Sequence, residues 1–214
     1  MRFIVYLVIV FGVFSQAHAD SVDFFRAVIR DDPVAVRSQI EAGADPNQVD
    51  PNGQTALGRA LFGEAYGVAL ELARHPKLDI GRRNQAGETG LMLAALKGRE
   101  DICRVLLERG APPDSSSGWT PLHYAAAGNS LPVVKLLLGR GVRVDPRAPN
   151  GRTPLMMAAA FAGEEVVDAL LAAGADPAAQ EPQGHRAADF ARGGGRDPLA
   201  DRLDAAAARR TKDR

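Results

Sequence analysis

The sequence contains little of the chemistry that catalytic or cross-linked proteins require. Cys103 is the only cysteine among 214 residues, so the chain can form no internal disulfide and no zinc site built from cysteine pairs. Only four histidines are present, and no Gly-x-Ser-x-Gly, His-Glu-x-x-His or phosphate-binding glycine loop occurs. These absences argue against an enzyme, and we predict no cofactor and no metal ion.

An excess of charge of either sign is also missing. The 26 lysines and arginines balance the 26 aspartates and glutamates. The chain has no long basic run, so its composition argues against binding to nucleic acid or to an anionic membrane surface. The charged residues near the C-terminus are interpreted as a solvated end, and residues 205–214 are predicted to be a flexible tail.

Long apolar runs are limited to one, which lies at the N-terminus. Arg2 precedes an apolar run from Phe3 to Phe14, and Ala17-His18-Ala19 follows it. This order predicts a secretory signal peptide over residues 1–19, with cleavage before Asp20. The alternative is an uncleaved membrane anchor, but a run of twelve residues is short for a hydrocarbon core of ~30 Å. We therefore expect an exported protein, periplasmic in a bacterium, that is monomeric and is not inserted in the membrane.

A short turn-and-helix pattern recurs through the rest of the chain. Its best copy is Gly118-Trp119-Thr120-Pro121-Leu122-His123-Tyr124-Ala125-Ala126, in which Thr120 can cap a helix and Pro121 suits its first position. The chain contains five copies of the pattern at nearly regular intervals, and the other four start at Thr55, Thr89, Thr153 and Arg186.

A period of about 33 residues with a Thr-Pro-Leu-His-x-Ala core resembles the ankyrin repeat. The resemblance covers residues 21–204 and implies an all-α solenoid of helix-turn-helix units joined by β-hairpin-like fingers. It implies a single domain, residues 20–204, with an N-terminal cap at about 21–49 and a C-terminal cap at about 184–204. Between the caps, repeats start near residues 53, 87, 118 and 151.

The pattern makes three local predictions. Asn129 stands where Gly98 stands in the preceding copy, so it is expected to adopt the left-handed conformation that asparagine tolerates. The second helix of the Thr55 repeat is expected to end at His75-Pro76, without a glycine cap. Cys103 falls among apolar residues of a second helix, which favours a buried packing role over the alternative of a redox or nucleophilic thiol.

In the ankyrin family, the finger tips and the inner helices form a concave groove that binds protein partners. The resemblance places groove positions before each threonine and after each alanine pair. Several of them are apolar where an unused surface would be polar, which predicts a partner site; the alternative is that the rings pack between repeats. The predicted partner-binding residues are Phe62, Glu88, Leu96, Lys97, Trp119, Arg152 and Phe161.

The expected function is a non-enzymatic protein-binding scaffold that recognises a protein partner. Two alternatives use the same groove: an inhibitor or immunity-type protein that blocks one exported enzyme, and an accessory factor that stabilises such an enzyme.

Overall fold

The computed structural model describes residues 21–114 and 118–212, and these residues form twelve helices and no strand. The predicted all-α fold is confirmed. The predicted signal peptide, residues 1–19, lies outside the described residues. The helices fall into two compact units, one ending at Gly90 and the other beginning at Leu91. The grouping of residues 20–204 into a single domain stays a prediction.

The first unit contains two helix pairs. Its helices are α1 (residues 21–29), α2 (Pro33–Glu41), α3 (Ala56–Phe62) and α4 (Tyr66–Arg74). Thr55 caps α3 because its hydroxyl oxygen accepts a hydrogen bond from the Gly58 N–H at 3.0 Å. Apolar side chains from all four helices form the core, with Phe24, Val36, Leu61 and Leu72 among the fully buried ones.

The last helix of the first unit ends as the sequence predicts. His75 follows α4 in an extended conformation, with φ −70° and ψ 127°, and Pro76 cannot continue a helix. Ala65, at the other end of α4, provides no side-chain hydrogen bond to the first turn. The residues that flank this helix therefore supply weak start and stop signals of their own.

The second unit contains four helix pairs, in which short inner helices alternate with outer helices. They are α5 (Gly90–Leu96), α6 (Glu100–Glu108), α7 (Pro121–Ala127), α8 (Leu131–Leu138), α9 (Pro154–Phe161), α10 (Glu164–Ala172), α11 (Ala187–Gly193) and α12 (Asp197–Lys212). The inner helices α7, α9 and α11 contact one another in that order, and the outer helices α6, α8 and α10 do the same. Pro121 and Pro154 begin their helices at the position that needs no N–H donor.

The inner helices approach one another closely where their residues are small. A Cβ atom on Gly128 would overlap the carbonyl oxygen of Leu96, so no side chain fits at the end of α7. Fully buried alanines, including Ala94, Ala126 and Ala159, occupy the same helices. The small residues of the repeat therefore set the spacing of the layer that carries the candidate site.

The turns between paired helices use the left-handed conformation, as predicted for Asn129. Its φ is 54°, and the same position has φ 53° at Asp31, 60° at Glu64 and 66° at Gly98. The sequence did not indicate a second contribution of these side chains. In the second unit, Asn129 Oδ1 accepts a hydrogen bond from the Gly163 N–H at 2.7 Å, and in the first unit Asp31 Oδ1 accepts one from the Val68 N–H at 2.7 Å. Each bond holds the start of the next repeat's second helix.

The prediction of a flexible tail over residues 205–214 is wrong for residues 205–212. Helix α12 runs for 16 residues, from Asp197 to Lys212, and Ala207 is buried. Arg210 donates hydrogen bonds to the carbonyl oxygens of Gly174 and Ala175 at 2.9 and 3.0 Å. The alanine-rich sequence favours a helix, and the arginine attaches it to the preceding repeat.

Candidate functional site

Trp119 forms one end of an aromatic cluster in the second unit. Its half-buried indole packs edge-on against the rings of His123 and Tyr124, with centroid distances of 5.3 and 6.3 Å. Beside it lies a largely apolar pocket of about 180 Å³, which we call the Trp119 pocket; it is lined by Leu96, Trp119, His123, Tyr124, Ala127 and Met157.

His123 fixes the geometry of this cluster through both ring nitrogens. Nδ1 lies 3.2 Å from the Thr120 backbone nitrogen and 2.9 Å from the Thr120 hydroxyl oxygen, and Nε2 lies 3.0 Å from the Arg152 carbonyl oxygen. The Thr120 N–H can only donate, so Nδ1 accepts and Nε2–H donates to Arg152. Burial lowers the pKa of His123 below its ordinary value of 6.5, although the bond to the Arg152 carbonyl opposes that shift. The imidazole is therefore neutral and ties one finger to the next.

A second pocket, of about 390 Å³, lies between α9 and α11. We call it the Arg152 pocket, and its main side chains are those of Arg152, Phe161, His185, Asp189 and Phe190. The Phe161 side chain is 61% exposed, which is unusual for a phenylalanine. The guanidinium carbon of Arg152 lies 4.6 Å from the centre of the Phe190 ring, in a cation–π arrangement.

The two pockets share helix α9. Met157 lines the Trp119 pocket, and Phe161, one turn further along the same helix, lines the Arg152 pocket. Large apolar side chains that are exposed or half-buried thus line the two pockets, from the inner helices and from the finger before α7. We refer to this set, Leu96, Trp119, Tyr124, Met157, Phe161 and Phe190, as the inner-helix face.

The structure brings together four of the seven predicted site residues. Leu96 and Trp119 line one pocket, and Arg152 and Phe161 line the other. Lys97 follows Leu96, is half-buried and lines neither pocket.

The remaining two predicted residues belong to the first unit. Phe62 is 41% exposed at the last position of α3. The Glu88 carboxylate accepts a hydrogen bond from the Asn84 side chain at 2.7 Å, and the Glu88 N–H donates to the Asn84 side-chain oxygen at 2.9 Å. Glu88 therefore stabilises its own finger, a contribution that the sequence did not indicate.

Three residues of the inner-helix face were missed by the sequence analysis. Tyr124, Met157 and Phe190 stand at the same position of three successive repeats. Each follows the first residue of its repeat by four positions, on the helix rather than on the finger. Comparing this one register position across the repeats would have found all three.

Metal and thiol chemistry have no support in the described residues. Nowhere in residues 21–114 and 118–212 do three or more histidine, cysteine, aspartate or glutamate side chains gather in a way that could hold a metal ion. Cys103 is fully buried, and this burial, followed by the nearby carboxylates of Asp101 and Glu100, raises the pKa of its thiol to about 12. The predicted packing role of Cys103 matches this environment.

Helix pairs that recur with this spacing, together with a face of exposed and half-buried aromatic side chains, define a repeat protein of the interaction class. The chain belongs to the ankyrin repeat family. The family described as Ankyrin repeats (3 copies) matches residues 24–117 and 112–181. Ankyrin repeats generally mediate protein–protein interactions.

Curated relatives share part of this chain. The B-cell lymphoma 3 protein homolog of Mus musculus is 38% identical over 125 residues, which is 56% of this chain and 28% of that protein. The neurogenic locus notch homolog protein 1 of Danio rerio is 34% identical over 113 residues, 52% of this chain and 5% of that protein. The protein fem-1 homolog A-like of Mus musculus is 36% identical over 111 residues, 51% of this chain and 17% of that protein. This chain thus spans less than a third of the length of each of these relatives.

In the part of the chain that the structure describes, no helix has both the length and the apolar character needed to cross a membrane.

Proposed function

We propose that this protein is a non-enzymatic scaffold of the bacterial periplasm that binds one protein partner as a monomer through the inner-helix face. The observation that carries the proposal is Phe161, an aromatic side chain that is 61% exposed beside a pocket. Exposed aromatic residues next to arginine are typical of the residues that dominate interface energies. The absence of a catalytic constellation from the sequence supports a binding function over a reaction.

The test uses capture of a partner from a periplasmic extract by the full chain and by two variants. Phe161→Ala should weaken binding by about 2 kcal/mol, the scale of an interface hot spot. It should change the free energy of unfolding by less than about 1 kcal/mol, because the ring is mostly in solvent. Lys135→Ala is the matched control, since Lys135 is exposed on the outer helix α8 and should change neither quantity.

Phe161 is a better probe than Trp119. The edge contacts of the indole with His123 and Tyr124 mean that Trp119→Ala would also loosen the fold around the Thr120 turn. A Phe161→Ala variant that binds its partner as tightly as the wild type would contradict the proposed face, as would a large loss of stability.

The activity of a captured enzyme separates the two alternatives. Loss of its activity on binding identifies an inhibitor or immunity-type protein, and a gain identifies an accessory factor. An unchanged activity supports the scaffold function.

Export is tested by the intact mass of protein from the periplasmic fraction, which should correspond to a chain starting at Asp20. Full-length protein retained in the membrane fraction would contradict export.

A further inference from the structure

The Arg152 pocket combines apolar walls with two charged side chains, those of Arg152 and Asp189. Phe161 and Phe190 provide the walls, and the pocket of about 390 Å³ is large enough for one or two side chains of a partner. His185 stands at the edge, with its ring 6.2 Å from that of Phe190. Which ligand charge the pocket prefers therefore depends on which of its own charged side chains already have partners.

Arg152 is held in place without a carboxylate partner among the described residues. Its guanidinium stacks over Phe190, whereas Arg143, Arg192 and Arg202 of the same unit each form ion pairs with carboxylates. The backbone of Arg152 is fixed on both sides: its N–H donates to the Asn150 side chain at 3.2 Å, and its carbonyl oxygen accepts from His123 at 3.0 Å. The result is a positive charge in a preorganised position.

The acidic groups around the pocket are already engaged. The Asp189 carboxylate accepts a hydrogen bond from the Arg186 N–H at 2.7 Å and lies 3.6 Å from the Arg192 guanidinium. The Glu181 carboxylate bonds His185 Nδ1 at 2.7 Å. Both carboxylates thus have partners other than Arg152, and Arg152 is left as the charged group of the lining that can pair with a negative ligand.

We propose that the Arg152 pocket binds an aspartate or glutamate side chain of the partner, next to an apolar partner residue that packs on Phe161. A carboxylate can accept two hydrogen bonds from a guanidinium, and the stacked Phe190 ring keeps that guanidinium oriented. A neutral or basic group would instead bury Arg152 without compensation, which is costly. This inference rests on the proposed function and names the chemistry of the partner at one point of the inner-helix face.

The test uses random twelve-residue peptides displayed on phage and selected on the full mature chain. The best peptide is then synthesised twice, once with its acidic residue and once with the matching amide, and the Kd of each is measured by fluorescence anisotropy. On the wild type, the amide should weaken binding about tenfold, the scale of a hydrogen bond to a charged group. On Arg152→Gln, the two peptides should bind equally, because the charge that distinguishes them is gone.

Arg140→Gln is the matched control, since it removes the same charge at an exposed position after α8. It should preserve the tenfold difference. The inference is overturned if the selected peptides carry no acidic residue, if no peptide depends on the face, or if the acid-to-amide difference persists on Arg152→Gln. Peptides that lose binding on Phe161→Ala but not on Arg152→Gln would contradict only this inference and would leave the proposed function standing.

Discussion

At the scale of the residue, the His123 ring is a buried polar group whose two nitrogens both form hydrogen bonds. It is fully buried, and its neutral form satisfies both the Thr120 N–H and the Arg152 carbonyl. A second proton would convert Nδ1 from an acceptor to a donor and break the bond from Thr120. This loss acts in the same direction as burial, which lowers the pKa of this side chain.

The pH dependence of stability follows from that shift. The unfolded chain binds a proton at about pH 6.5 and the folded chain only at lower pH, so the stabilisation from His123 is complete above 6.5 and is lost as the pH falls towards the lowered value. We expect His123→Met to lower the free energy of unfolding by about 1–2 kcal/mol at neutral pH, because the Arg152 carbonyl loses one of its two donors and keeps only the Ala148 N–H.

The difference between wild type and His123→Met should shrink as the pH is lowered, measured by urea unfolding at several pH values. Methionine is the appropriate replacement, because Met156 occupies this position in the next repeat and its sulfur accepts from the Thr153 N–H at 3.4 Å. A difference that is constant or that grows towards acid pH would contradict the neutral assignment.

Cys103 allows a second prediction at this scale. A fully buried thiol with a raised pKa presents almost no thiolate, so it should react slowly with thiol reagents in the native protein and rapidly after denaturation. Cys103→Ser should lower the free energy of unfolding by about 1–2 kcal/mol, since a hydroxyl replaces a well-packed sulfur. Rapid labelling of the native protein would show that the site is open.

Single residues also show where the sequence was informative about the site and where it was not. Leu96, Trp119, Arg152 and Phe161 were found because the finger and helix positions follow the repeat. Glu88 satisfies the same positional rule, yet its carboxylate bonds Asn84, and a positional rule carries no information about such local hydrogen bonds. Tyr124 and Phe190 were missed because they lie inside the helices, whereas the predicted groove positions were those before each threonine and after each alanine pair.

At the scale of the element, Asn129 connects two helix pairs. It adopts a φ of 54° and its side chain accepts from the Gly163 N–H, at the start of α10. The two contributions can be separated by substitution. Asn129→Gly keeps the conformation and loses the hydrogen bond, with an expected cost of about 1 kcal/mol. Asn129→Ala loses the bond and also strains the turn, for a total cost of about 2 kcal/mol.

Urea unfolding of the two variants, with Lys135→Ala as a control on the neighbouring helix α8, measures both terms. Equal costs for glycine and alanine would mean that the left-handed conformation contributes nothing. A glycine variant as stable as the wild type would mean that the bond to Gly163 contributes nothing.

The ends of the helices were largely predictable, and their side-chain attachments were not. Threonine caps, prolines at the first helical position and His75 at the end of α4 all follow from local chemistry. The last helix was predicted too short, because its alanines and arginines were interpreted as a solvated tail. What holds the end of α12 in place is Arg210, which reaches the carbonyl groups of Gly174 and Ala175 in the preceding repeat. A contact over that distance along the chain has no local signal in the sequence.

At the scale of the whole molecule, the repeats are not equally well terminated. Helix α4 has no cap from its own flanking residue Ala65, depends on Asp31 of the preceding repeat for a bond to its first turn, and is followed by an extended residue. Helix α9, in contrast, begins with both a threonine cap and a proline. In a chain of repeats, a weak repeat near one end allows that end to open before the rest unfolds. We therefore predict faster amide hydrogen exchange in residues 21–80 than in residues 120–175. Native-state exchange with equal protection in both ranges would contradict the prediction.

The repeat number and the fold class follow from the sequence at this scale, because the regular recurrence of the turn-and-helix pattern is directly visible in it. The identity of the partner does not follow, since binding depends on which side chains remain exposed after the helices pack. Phe161 and Trp119 are both large aromatic residues at groove positions, and only packing decides that one is mostly exposed and the other half-buried.

Three of the bonds between successive repeats join a side chain of the earlier repeat to the backbone of the later one. The side-chain oxygens of Asp31 and Asn129 accept hydrogen bonds from backbone N–H groups of the repeat that follows. The Nε2–H of His123 donates to the Arg152 carbonyl oxygen of the next finger. The C-terminal cap has no successor among the described residues, and its Arg196 and Arg210 reach back to carbonyl groups of the repeat before it. During synthesis, when the N-terminal part emerges first, the repeats that contain Asp31, His123 and Asn129 therefore already carry the groups that bond the repeat after them.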